Sequence, residues 1–184
     1  MNLQHVNVKL FAEGKPDIHL ERFIEVFHQW IATQSTDELL IDVADYRHVP
    51  EGPAVILVGH EADYVIDHAD GRMGLLYNRK ATCEGSSEDK LRQAISAALQ
   101  ACQRLEEEFQ DLKFGRSEIA VTINDRALAP NDPETYQTFQ PVLDEFIATA
   151  LGQSDFKVKR HDADGRRLFG VSISLSRPVE LDLL

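Results

Sequence analysis

His60, Asp63 and Asp67 lie within eight residues of chain, in the stretch Gly59-His60-Glu61-Ala62-Asp63-Tyr64-Val65-Ile66-Asp67. An imidazole between two carboxylates suits general acid–base catalysis or the binding of a divalent ion. Whether the three meet depends on pleat. With residues 54–80 as a three-stranded antiparallel meander and two-residue turns at Glu61-Ala62 and Asp70-Gly71, cross-strand partners follow. His60 then stands opposite Asp63, Asn78 beside Asp63, and Asp67 opposite Gly74, which leaves room. A slip of one residue would put Glu61 and His68 on that face in place of His60 and Asp67. The spacing matches no diagnostic ligand motif, so the identity of any metal or cofactor stays open. The same residues read as the solvated polar edge of a hairpin, and that plainer reading leads because charged turn residues are common.

Two further clusters carry polar chemistry. Asp42 interrupts the apolar run Leu39-Leu40-Ile41-Asp42-Val43-Ala44 and needs a partner if buried, with Arg47, Arg72 or Arg79 able to supply one. Asn78, Arg72 and Arg79 are the ligand-binding candidates of the meander. On the last hairpin, Lys157, Lys159 and His161 share a side with Gly170, Ser172 and Ser174. In an acidic chain that basic, hydroxyl-rich strip would suit a phosphate or carboxylate ligand, or an acidic face of a second subunit. Lysine and serine facing water on an edge hairpin are also routine protection against edge pairing. His28 flanks an apolar helical stripe and reads as a packing residue. Phosphate-cradling glycine loops, Gly-x-Ser-x-Gly, Cys-x-x-Cys and His-Glu-x-x-His are all missing.

The elements that would position these groups follow from periodicity. Residues 5–11 alternate as a half-buried strand, and Asp17 is expected to cap a helix over 18–33. Residues 39–44 look like an inner strand because they are nearly all apolar. Asp70-Gly71 marks a primed turn, since both residue types tolerate positive φ. Ser86 or Ser87 opens the longest helix, 87–114, with Leu91, Ile95, Ala98, Cys102, Leu105, Phe109 and Leu112 in steps of four and three and Gly115 at its end. A strand over 118–125 comes next. Asp132-Pro133 starts a third helix that Pro141 must kink or divide and Gly152 ends. A closing hairpin, 156–162 and 167–176, turns at Asp164-Gly165.

These elements define an α+β fold: a mixed, mostly antiparallel sheet of seven or eight strands with three main helices on one face. The strand–helix–strand segments at both ends suggest some parallel pairs. One domain, 1–184, is expected. Its halves, 1–80 and 116–184, echo each other. Phe23-Ile24-Glu25-Val26-Phe27 aligns with Phe139-Gln140-Pro141-Val142-Leu143, and Ala69-Asp70-Gly71-Arg72 recurs as Ala163-Asp164-Gly165-Arg166. Tandem βαββ units joined by helix 87–114 would explain this, and so would chance recurrence of amphipathic helices and Asp-Gly turns.

The chain has 184 residues, with 19 basic and 31 acidic side chains and a formal charge of −12. That balance argues against nucleic acid and anionic membrane as partners. With 43% hydrophobic residues the chain can bury a core without disulfide or metal. Two cysteines do not form a secreted framework, and the N-terminus lacks a basic start and a long apolar block, so a cytoplasmic protein of bacterial type is expected.

The stretch from Leu39 to Lys80, with Leu-Ile-Asp-Val-Ala-Asp-Tyr-Arg-His-Val-Pro, Gly-His-Glu-Ala-Asp-Tyr and Asp-Gly-Arg, resembles a family of small bacterial proteins with no assigned function. The resemblance covers under a quarter of the chain and implies no fold, activity or ligand. Two function classes follow. The first is a non-catalytic binding or assembly protein using a partly polar sheet face, with a homodimer as the default partner and a small anion as a candidate ligand. The second is a small-substrate enzyme, metal-dependent or not, centred on His60, Asp63 and Asp67. The first leads because no motif demands chemistry.

Overall fold

The computed structural model describes residues 1–162 and 164–183. Its strands are β1 (Val6–Ala12), β2 (Leu40–Asp45), β3 (Pro53–Gly59), β4 (Ala62–Asp67), β5 (Gly74–Arg79), β6 (Phe114–Ile123), β7 (Phe156–Arg160) and β8 (Phe169–Leu175). Its helices are α1 (Leu20–Thr33), α2 (Ser87–Glu108) and α3 (Pro133–Thr149). The strands form a single sheet in the order β2-β3-β4-β5-β1-β6-β8-β7.

The α+β class, the eight strands and the three helices match the sequence expectation. The expected parallel pairs do not form: every ladder among the described residues is antiparallel. After α1 and after α3 the chain continues through hairpins before returning beside the strand that precedes the helix. Thus β5 lies beside β1, and β8 lies beside β6. The orders β4-β5-β1 and β7-β8-β6 are the same βαββ arrangement, set back to back across the β1–β6 ladder. If Asp70 is matched to Asp164, Leu75 falls on Phe169, and the ladders carry Leu10 onto Ile123 and Val6 onto Ile119. The pairs Val6–Ile123 and Leu10–Ile119 then exchange about the Val8–Val121 pair.

Period-two alternation sends Val8, Leu10, Val55, Leu57, Tyr64, Ile66, Leu75, Tyr77, Ile119, Val121, Val171 and Ile173 into one core cluster with the helices. Helix α2 lies over β1 and β5, and α1 over β2 and β3. Helix α3 joins the same side through Phe139, whose ring meets Phe169 edge-on at 5.4 Å. Among the described residues, no α-helix packs on the opposite sheet face.

Several boundaries differ from expectation. Helix α2 opens with a reciprocal capping box between Ser86 and Asp89 and stops at Glu108, short of 114. Gly115 lies in β6, because Phe114 is drawn into the ladder opposite Ala12 and its N–H is held by Glu106 Oε1 at 2.7 Å. The cap of α1 is His19, whose side chain makes no capping bond, so Asp17 is not the cap. Pro141 sits inside α3 without dividing it. Strand β2 is an edge strand, not an inner one. A bulge at Ile41 and one uncovered side leave Leu39 59% and Ile41 52% exposed.

The Asp-Gly turns also part ways. Asp70 and Gly71 have φ of 60° and 66°, and Arg72 N–H bonds the Ala69 carbonyl, as a primed turn requires. Gly165 has no positive φ, and that chain reversal is closed by Arg167 N–H to the Asp164 carbonyl. Ala163 lies outside the described residues.

Candidate functional site

The uncovered face is best described by rows that cross all eight strands. One row runs Ala44, Ile56, Val65, Leu76, Lys9, Ala120, Ser172, Lys159. The next runs Asp42, Val58, Asp63, Asn78, Asn7, Thr122, Gly170, with His161 closing it through its backbone bond to Gly170. Carboxylates therefore gather toward β2–β4, amides and small residues in the middle, and ammonium groups on β7.

The meander keeps the expected face but shifts the first hairpin by two residues. Val58, not His60, stands opposite Asp63, because His60-Glu61 forms the turn. A two-residue shift preserves the side of the sheet, so Asp63, Asp67 and Asn78 still share it. Asp63 does lie opposite Asn78, and Asp67 opposite Gly74. His60 is exposed, and no hydrogen bond or ion pair among the described residues joins it to either carboxylate. Asp63 instead holds Lys80 at 2.7 Å and accepts from Asn78 Nδ2 at 3.3 Å. Asp67 holds Lys9 at 2.5 Å. Asp63 and Asp67 stand four residues apart on one strand, about 13 Å. The structure thus brings together two lysine–carboxylate pairs, not an imidazole with two acids. His68, the alternative under a slip, has a buried Nε2 without a partner among the described residues.

The Lys9–Asp67 pair fastens the 68–73 connection to the sheet. The Lys9 ammonium also donates to the Arg72 carbonyl at 2.9 Å. Arg72 then reaches over the Phe11 ring at 3.8 Å and makes a two-pronged bond to Glu118 on β6. That pairing raises the arginine and lowers the carboxyl relative to their ordinary values. Arg72 is therefore a strut. Asp42 needs no arginine: it is exposed and caps the Val43 N–H. Arg47 bonds Asp45 and Glu21, and its hydrogen bonds hold the Asp45 carboxyl down to about 2.

On the other flank, the His161 ring packs against Gly170. A Cβ there would meet Nδ1 at 2.6 Å and Thr122 Oγ1 at 2.9 Å. Nε2 and the Ser172 hydroxyl share a hydrogen bond of 2.9 Å. Burial pushes the imidazole below its ordinary value, and Lys159 adds to this while Asp70 opposes it. Lys157 and Lys159 are exposed beside it.

A second constellation lies on the helix side and was missed by sequence reasoning. Tyr64 and Tyr77 face each other across β4 and β5 with ring centroids 5.3 Å apart. Both phenols donate to the buried carboxylate of Glu38, Tyr64 at 2.5 Å and Tyr77 at 3.0 Å, and Gln93 Nε2 donates to the Tyr77 oxygen at 2.8 Å. Burial first, and Glu38 besides, drives both phenols above their ordinary range. This cluster forms one end of a cavity of about 260 Å³ lined by Thr36, Asp37, Glu61, Arg79 and the Gln93–Arg104 face of α2. Arg79, a sequence candidate, is committed there to Glu61 at 3.0 Å and to the Ala81 carbonyl. Two tyrosines predicted on a buried face were the available signal, since buried phenols usually find a partner.

Among the described residues, no group of three or more His, Cys, Asp or Glu is arranged to hold a metal ion. No helix among them is long and apolar enough to cross a membrane. Comparison with known proteins gives no match, either to a protein-family model or to a curated sequence.

Proposed function

We propose that the protein is a non-catalytic assembly protein that pairs with a second copy of itself through the uncovered sheet face. The observation that carries this reading is the one-sided fold. Three helices pack on one face, and the other presents Ile56, Val65 and Leu76 in a row across β3–β5, with carboxylates on β2–β4 to one flank and lysines on β7 at the other. A twofold axis parallel to the strands lays each acidic flank over the partner's basic flank. Asp42 then faces the side of Lys157 and Lys159, while the aliphatic row meets the small residues Ala120, Gly170 and Ser172. Eight strands of about six residues offer roughly 700 Å² per copy, near the 800 Å² of a standard interface. Catalysis on the meander is the weaker reading, because each carboxylate there already holds a lysine. Both cysteines are free thiols, which suits a reducing compartment such as the cytoplasm.

The test is the mass in solution. Sedimentation equilibrium at about 50 μM, a range that detects micromolar association, should give twice the 20.8 kDa chain mass. Leu76→Asp and Ser172→Glu should each yield a monomer with an unchanged far-ultraviolet spectrum. A wild-type protein at chain mass throughout, or a dimer that survives both substitutions, overturns the reading.

A further inference from the structure

The cavity on the helix side is a groove. Gln93, Ser96, Ala97, Gln100, Ala101 and Arg104 recur at three- and four-residue intervals, so they form one stripe of α2. From Gln93 to Arg104 that stripe spans eleven helical steps, about 16 Å. Ala97 and Ala101 carry only methyl groups, and these small residues open the middle of the groove. The facing wall is the Thr36-Asp37-Glu38 connection between α1 and β2, and Tyr64 contributes to the lining below.

The polar groups of the groove divide into committed and uncommitted sets. Thr36 donates to the Glu38 carbonyl, Glu38 accepts from two phenols, Gln93 donates to Tyr77, and Arg79 holds Glu61. These bonds fix the shape of one end. The side chains of Asp37, Ser96, Gln100 and Arg104 make no hydrogen bond or ion pair among the described residues. That leaves one carboxylate on one wall and one guanidinium on the other, with a hydroxyl and an amide between them. Glu38 adds acceptor capacity on the carboxylate side, since a carboxylate offers about four lone-pair sites and two are taken here. A lone anion would meet Arg104 but face Asp37 and Glu38. A lone cation would meet the reverse.

We infer that this groove binds a small zwitterion, an amino acid or a short peptide. Its ammonium lies at Asp37 and Glu38, and its carboxylate is held by Arg104 and Gln100. Planar guanidinium recognition of a carboxylate and a shared amide donor fit that orientation. The groove lies on the helix side of the sheet, so pairing through the other face leaves it open, and this inference does not depend on the dimer.

The experiment is thermal denaturation of the full chain with glycine, alanyl-alanine and 6-aminohexanoate, which space the two charges differently. Acetate and ethylamine serve as single-charge controls. Near hundredfold excess over Kd, a ligand that binds only the folded chain raises Tm by about 5 °C or more. The expected result is such a rise with at least one zwitterion and with neither control. Arg104→Gln and Asp37→Asn should each abolish it while melting, without ligand, within about 2 °C of the parent, because neither side chain has a partner to lose. Chemical-shift changes at the Gln93 and Gln100 side-chain amides should accompany binding. No rise with any zwitterion, an equal rise with acetate, or a rise that persists in either variant overturns the inference.

Discussion

The Lys9 ammonium, on the central strand β1, lies 2.5 Å from a carboxylate oxygen of Asp67, at the end of β4, with the glycine strand β5 between them. Both side chains are nearly enclosed, 10% and 7% exposed. Removing one partner would leave a buried charge unmatched, which costs about 3–5 kcal/mol. Lys9→Met and Asp67→Leu should each lower the unfolding free energy by that amount, read as a lower urea midpoint with m unchanged. The double substitution should recover most of the loss, because an apolar pair of similar volume replaces two desolvated ions. Additive losses in the double-mutant cycle would show that the pair is not the fastening element.

Gly74 makes that approach possible. A Cβ at this position would sit 2.4 Å from the Leu10 carbonyl oxygen and 2.8 Å from Lys9 Cε. The first contact is backbone and cannot swing away. Gly74→Ala should therefore destabilise by about 1–3 kcal/mol or more, as overpacking does. Gly165, with nothing within 4 Å of its Cβ position and no positive φ, should accept alanine with little change. Equal unfolding midpoints for the two variants would contradict the close approach of β5 to β1.

How far these relationships could be read from the sequence depended on period and pairing. Alternation placed Asp63, Asp67 and Asn78 on one face correctly, since the expected register erred by two residues and two preserves the side. It set His60 opposite Asp63, where Val58 stands instead, because a two-residue turn can take Glu61 with either neighbour at no local penalty and here takes His60. Gly74 was seen as room opposite Asp67, but the occupant, Lys9, comes from 65 residues earlier and has no local signal. The run 39–44 suggested an inner strand because hydrophobicity reports burial, not position in the sheet. Its edge placement comes from strand order, which composition does not encode. Glu38 precedes an apolar run and looks like a loop acid until Tyr64 and Tyr77 are known to converge on it.

Those two phenols make a prediction at high pH. Burial and the Glu38 carboxylate favour their neutral forms, so their folded values lie above the ordinary 10. Folding is then linked to protons. The stabilisation is complete below pH 10 and is lost as the pH rises beyond it, because the unfolded chain releases protons first. Ultraviolet titration near 295 nm should show Tyr64 and Tyr77 ionising only together with unfolding. Tyr64→Phe leaves Glu38 one donor short and should cost about 1–3 kcal/mol at pH 7. In that variant the alkaline transition should become shallower, since one linked proton is gone. Reversible ionisation of both phenols in the folded chain would contradict their enclosure with Glu38.

His161 predicts the opposite behaviour on the acid side. Its ring lies over Gly170, shares a bond with Ser172, and faces Thr122, Lys159 and Asp70. Burial and Lys159 disfavour the imidazolium more than Asp70 supports it, so the folded value lies below the ordinary 6.5. The folded chain thus binds this proton less readily than the unfolded chain. Its contribution to stability is present above pH 6.5 and is lost as the pH falls through the folded value. Proton NMR should find the His161 ring titrating below 6.5. His161→Gln retains a hydrogen-bonding group of similar reach without the charge, so stability in that variant should fall less than in the parent between pH 7.5 and pH 5. A ring that titrates at or above 6.5, or a variant with an identical acid profile, would mean that Asp70 dominates and that this edge of the open face carries an imidazolium.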